Sequence, residues 1–405
     1  MVTRLEQPTD GLKPYGKSTD LPLFAGGPLR KLLFRTQQSD DDASGGRQLI
    51  GIALALLAWL PLLVLSAVEG HVFGGGVTLP FLQDLEVHVR LLLALPLLFV
   101  AELATEARVR PVPRQFIERD LIPDDAMTRF QSAIASATRL RDSAFAEVLL
   151  IAFVYAGGIL IWRNYVVADT ATWYATPSPD GPRFSLAGTW YAWVSLPIFQ
   201  FILCRWYFRL FVWARFLWRV SRIHLMLVPT HPDGLAGLSF LSNTLRVLTV
   251  FAAAHGTLLA GYLATHVVIL GTSLIEFKAE IAAMLILVLC VTTGPLLVFT
   301  PQLSEARRNG LRDYGRLAMR YVSEFDTKWL RDTDHNPETL LGSADIQSLA
   351  DLGNSYAIVR TMRTVPITSD AISRLTAATL FPIVPLLLTM MPIEELLKKM
   401  AAILL

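Results

Sequence analysis

The chain has 405 residues, 53% of them hydrophobic and 17% charged, with a net charge of +2 and a mean hydropathy of +0.45. A soluble domain carries about a quarter charged residues, and so few charges cannot cover the surface of a core this large. The balance excludes a soluble multidomain protein and argues against a disordered or nucleic-acid-binding chain. With Cys204 and Cys290 as its only cysteines, both inside apolar runs, it also excludes a disulfide scaffold.

The polar, Gly- and Pro-rich segment 1–48 is too long and mixed for the basic start of a cleaved signal peptide. Six apolar stretches then follow that are long enough for a hydrocarbon core, which needs about 20 helical residues. They run from Leu49 to Val68, Val89 to Ala104, Phe145 to Val167, Trp190 to Trp213, Leu245 to Leu270 and Ala279 to Thr300. A shorter seventh runs from Leu375 to Met391 and holds Pro382 and Pro385. Of the 36 basic residues, only Arg90, Arg163, Arg183, Lys278, Lys398 and Lys399 fall on the side opposite the rest. The positive-inside rule therefore predicts a cytoplasmic N-terminus, an external C-terminus and seven transmembrane helices. Trp162, Trp173, Trp190 and Trp193 mark the expected outer boundary, and the loop from Thr172 to Gly188 is the main outer one.

The fourth run continues as RWYFRLFVWARFLWRVSRIHLML, Arg205 to Leu227, with arginines every three to four residues and aromatics between them. This pattern predicts a helix that emerges from the bilayer along the interface, its arginines meeting anionic headgroups. A dedicated anion site is the less favoured reading. After the sixth run, Leu303, Ala306, Gly310, Tyr314, Leu317, Tyr321 and Phe325 recur at helical spacing, so that helix extends beyond the membrane. A polar break, Arg331 to Gly342, precedes a second periodic segment with Ile346, Leu349, Leu352, Tyr356, Val359 and Met362. The predicted architecture is all-α: an N-terminal segment 1–48, a six-helix region 49–300, a cytoplasmic helical segment 301–374, and a last helix with an amphipathic tail over 375–405.

Four constellations carry functional expectations. His255, Tyr262 and His266 lie at steps of seven and eleven residues, on one face of the fifth helix. They read as a proton or ion pathway or, preferably, as neutral histidines bonded to neighbouring helices. Glu102 lies deep in the second helix and needs a partner; Arg205 is the first choice and Arg209 the second, with a structural clamp preferred to a substrate site. His231-Pro232-Asp233-Gly234 reads as a shaped turn leading into the fifth helix, in preference to metal or ligand binding. In the seventh helix, Pro382 and Pro385 free the carbonyls of Ala378 and Phe381. The result is either a packed kink or a pore-lining helix with Ile383, Leu386, Leu387 and Met390 as hydrophobic constrictions. Gly74 to Gly76 reads as a turn. With no nucleotide, zinc-protease or serine-hydrolase motif, no enzyme, cofactor or metal is expected.

The segments PTHPDGLAGLSFL, DIQSLADLGNSYAIVRTMRTVP and FPIVPLLLTMMPIEELLKKM resemble those of a group of uncharacterised bacterial multi-pass membrane proteins, which implies a bacterial inner membrane. The topology alone is similar to that of insect chemoreceptor channels, in which four subunits meet in a cytoplasmic helical layer and the last helix lines a cation pore. That likeness implies a homo-oligomer, a tetramer, conducting an ion or small solute with or without a gating ligand. The expected function is accordingly a homo-oligomeric channel. A secondary transporter using the intramembrane His and Glu residues, and a non-transporting scaffold or sensor, are the alternatives.

Overall fold

The computed structural model describes residues 43–158, 171–178, 182–269, 271–331 and 342–390. It is mostly helical. Helix α1 spans Ala43–Val68, α2 Leu85–Glu118, α3 Met127–Arg141, α4 Ala144–Gly157, α5 Leu186–Val220, α6 Ser239–Ile269, α7 Leu274–Arg331, α8 Ala344–Thr361 and α9 Ser369–Leu387. Six of these, all but α3, α4 and α8, are long and apolar enough to cross a membrane. The third predicted run coincides with α4 as far as Gly157, and its remainder, like the polar break after Arg331, the tail after Pro392 and Trp162, lies outside the described residues. One small departure from an all-α chain is a two-stranded hairpin, β1 Ala175–Thr176 paired antiparallel with β2 Arg183–Phe184.

Proline explains four of the irregularities within the helices. A proline removes the bond to the carbonyl four residues earlier, and the helix must re-space its turns. Wider π-type turns at Val89–Ala94 and Tyr191–Ser195 precede Pro96 and Pro197. Tighter 3-10 turns occupy Gly294–Phe299, around Pro295, and Phe381–Ile383, around Pro382.

Helix α6 is the centre of the bundle, packed by α2, α7 and α9. Aromatic side chains from five elements close the core at the basic end: Phe116 of α2, Phe130 of α3, Phe216 of α5, Phe240 of α6 and Phe299 of α7, with ring centroids 5.0–6.3 Å apart between neighbours. The expected extension of the sixth run is seen, since α7 reaches Arg331 without leaving helical conformation. Helix α8 folds back on it. The stripe Leu349, Leu352, Tyr356 and Val359 turns toward α7, while Ile346 stays exposed. Asp345 closes this hairpin, accepting from Lys328 Nζ at 2.9 Å and Trp329 Nε1 at 3.0 Å, contacts that hold its carboxyl below the usual range.

Two sequence expectations are corrected. The arginine-rich helix does not run on to Leu227. Helix α5 stops at Val220, and Gln302 of α7 donates to the carbonyls of Ser221 and Ile223 at 2.6 and 2.7 Å, capturing the departing strand of chain. Trp173 does not sit at a lipid boundary. It is completely buried, because Phe81, Tyr174 and Tyr191 surround its ring and Asp84 takes its indole N–H.

Candidate functional site

At the basic end, the ion pair to Glu102 is made by Arg209, the second-choice partner, at 2.9 Å. Arg209 is buried and Glu102 is mostly so. Removing one partner of such a pair costs about 3–5 kcal/mol because the other charge is stranded. The pair ties α2 to α5, and Trp206 adds a second tie by donating to the Leu98 carbonyl at 3.1 Å. Arg205 lies one helical turn before Arg209 and also makes polar interactions.

The expected histidine stripe divides into two places. His255 is buried, with Nδ1 2.9 Å from the Phe251 carbonyl and Nε2 2.8 Å from the Tyr207 hydroxyl of α5. A carbonyl only accepts, so Nδ1 carries the proton and Nε2 accepts from Tyr207. The ring is then a neutral bridge between α6 and α5. The rings of Tyr262 and His266 lie tilted against each other with centroids 4.3 Å apart and meet Phe277 at the start of α7. The π-type turn at Thr265–Ile269 shifts His266 away from the regular 3.6-residue spacing on which the single stripe was based.

The loop His231-Pro232-Asp233-Gly234 is a hub for the basic end. Asp233 Oδ1 accepts from the amides of Leu235 and Gly237 at 2.8 and 3.1 Å, and Oδ2 from that of Ser239 at 3.1 Å. Burial pushes its carboxyl up, but the amide bonds outweigh that and hold it below the usual range. Gly234 takes the positive φ of 65° that the turn requires, and its carbonyl accepts from the Arg363 amide at 2.9 Å. His231 Nδ1 accepts from the Asp233 amide at 3.2 Å. Arg119, at the end of α2, donates to the Gly237 carbonyl at 2.8 Å and lies 4.9 Å from the Phe240 ring. Asp233 thus holds the turn and the start of α6, while Gly237 and Gly234 join the loop to α2 and to the segment before α9.

Helix α9 is seated by close backbone approach. A Cβ placed on Gly256 of α6 would lie 2.0 Å from the Thr379 carbonyl oxygen, so only glycine permits the crossing. Beyond it, the proposed pore residues separate. Ile383 and Leu386 are buried against Leu259, Ala260 and Leu263 of α6, and Ala378 is partly buried. Pro385, Leu387 and Phe381 face outward, Phe381 being 76% exposed, and Pro382 lies between the two faces. Ile383 and Leu386 therefore cannot constrict a pore on the outer face of α9, because packing on α6 already uses them. Met390 ends the last 3-10 turn.

A polar cluster that the sequence reading did not assemble lies at the opposite, hairpin end. Asp84 caps α2 through Oδ1, which accepts from the Val87 amide at 3.1 Å, and its Oδ2 accepts from Trp173 Nε1 at 2.9 Å. Arg90 bonds to Glu86 and to the Tyr191 hydroxyl, with its guanidinium 5.8 Å from the Phe199 ring. Trp59 donates to His88 Nδ1 at 2.9 Å, and the Glu86 amide donates to Thr265 Oγ1 at 3.0 Å. Burial dominates at Asp84 and pushes its carboxyl up to about 6, against the pull of Trp173. Burial, with Asp84 nearby, pushes the Tyr174 phenol up to about 12. Arg90, a lone cation inside an apolar run, was the available signal for this cluster.

A helical bundle with six membrane-length apolar helices and a buried ion pair between two of them defines a multi-pass helical membrane protein. No protein family, curated protein or solved structure matches the chain.

Proposed function

We propose that the protein is a homo-oligomeric ion channel of the bacterial inner membrane, with seven spans, a cytoplasmic N-terminus, an external C-terminus and α9 nearest the conduction path. The carrying observation is a second apolar stripe on α7. Met319 and Val322 share one face at helical spacing, Leu330 follows within the π-type turn at Thr327–Arg331, and Met319 is 74% and Leu330 68% exposed. Helix α7 has 58 residues, about 87 Å at the helical rise, so its distal part stands far outside a core of about 30 Å. Lipid does not cover that stripe, and a second copy of the chain would, in the way a helical layer holds subunits together. The proline-broken α9, with Phe381 and Leu387 on its outward face, supports placing it at the pore.

The test is the mass of the purified protein in detergent, together with single-channel recording in planar bilayers. The expected result is a closed oligomer, a tetramer by the topological likeness, with discrete currents that Phe381→Ala or Leu387→Ala alters. A monomer without current overturns the proposal. Gradient-driven uptake by monomers would favour a transporter, and Glu102→Gln would then be expected to abolish it.

A further inference from the structure

The groove between α5 and α7 at the basic end has an apolar floor that belongs to the core and a basic rim that the channel reading does not use. Its volume is about 810 Å³, and it opens where the Gly294–Pro295 break carries α7 away from regular helix. Leu210, Phe211, Val291 and Pro295 line its apolar part, and Arg215 and Arg219 follow one and two turns further along α5. These two guanidinium groups sit four residues apart on one helix face. Among the described residues, neither has a carboxylate partner. Like charges at that spacing repel, so an anion bound between them would relieve a cost that the fold otherwise carries. Trp218, half exposed beside them with the Arg222 guanidinium 5.2 Å from its ring, is the amphipathic side chain expected at headgroup level. The distance from Leu210 to Arg219, nine residues or about 13 Å, matches the reach from a phosphate to the upper part of an acyl chain.

We propose that this groove is a binding site for an anionic phospholipid, with its phosphate on Arg215 and Arg219 and an acyl chain along Leu210, Phe211, Val291 and Pro295. A basic pocket between helices at the membrane surface is the arrangement that selects such headgroups over zwitterionic ones. The proposal needs only the membrane setting, and it stands or falls independently of whether the protein conducts.

The test is native mass spectrometry of the delipidated full-length protein with dioleoyl phosphatidylglycerol, dioleoyl phosphatidylcholine or glycerol 3-phosphate. Wild type is expected to retain phosphatidylglycerol in preference to phosphatidylcholine. Arg215→Gln with Arg219→Gln should lower that retention by about tenfold or more and leave phosphatidylcholine unchanged. The charge-conserving Arg215→Lys with Arg219→Lys should restore part of it. Val291→Trp, which fills the groove without touching the arginines, provides a second route to the same loss if the glutamine variant does not fold. Equal retention of the two lipids by wild type overturns the proposal, as does undiminished phosphatidylglycerol on both the glutamine and tryptophan variants. Glycerol 3-phosphate binding as tightly as the lipid would replace it with a soluble phosphate ester site.

Discussion

Asp84 shows how a single buried carboxylate shapes the hairpin end of this protein. Its carboxyl titrates near 6 when folded, above the ordinary 3.8, so the folded protein binds the proton more tightly than the unfolded chain. The sign follows: stability is greatest below about pH 4 as far as this group is concerned, and it falls as pH rises through 6. The shift corresponds to about 3 kcal/mol. We predict that the apparent melting temperature of wild type in detergent declines between pH 4 and 7, and that Asp84→Asn flattens this slope. An unchanged slope in the variant would place the titration elsewhere. At this scale the sequence was partly legible. Glu102 in an apolar run demanded a cation, and its pairing with Arg209 was a matter of helix rotation that spacing alone did not settle. Asp84 gave no such signal, since it lies in a polar loop and owes its burial to Trp173, 89 positions away in the chain.

Helix α9 depends on one contact more than on its own apolarity. Its Thr379 backbone lies against Gly256 at a distance that no side chain fits, and the buried Leu375, Ile383 and Leu386 continue the seam. Gly256→Val should therefore force the two backbones apart, and overpacking of this kind costs about 1–3 kcal/mol or more where main chain is the obstacle. The expected readout is a melting temperature lowered by several degrees. Gly353→Ala serves as the control: it lies in α8 with open space around its added methyl and should be neutral or stabilising by up to about 1 kcal/mol. Equal effects of the two substitutions would contradict the assignment. The proline break of α9 was legible from sequence because the missing N–H is a property of the residue itself. Which of its side chains face inward was not, because that depends on the glycine of another helix.

The whole molecule joins a membrane bundle to the α7–α8 helical hairpin, whose near part packs on the 229–234 loop. The second stripe on α7 belongs to this scale, because nothing within one chain covers it among the described residues. We predict that Met319→Glu with Leu330→Glu shifts the purified protein toward monomer in analytical ultracentrifugation or light scattering, while its helical circular dichroism is retained. Persistence of the wild-type mass would remove this face as the subunit contact.

The sequence by itself determined the class of the protein, the places of most of its apolar helices, the long reach of α7 and the helical character of α8. Each of these follows from local composition and periodicity, which burial in lipid or against one neighbouring helix reads directly. Only the tertiary structure decided that Arg209 holds Glu102, that His255 answers to Tyr207 while His266 answers to Phe277, and that Trp173 is core. It also decided that the break at Gly294–Pro295 leaves a groove flanked by two arginines. The reason is geometric. A π-type turn or a 3-10 turn rotates everything beyond it by part of a helical turn. Partner choice between helices therefore rests on the accumulated rotation and on close backbone approaches, neither of which any one segment of sequence contains.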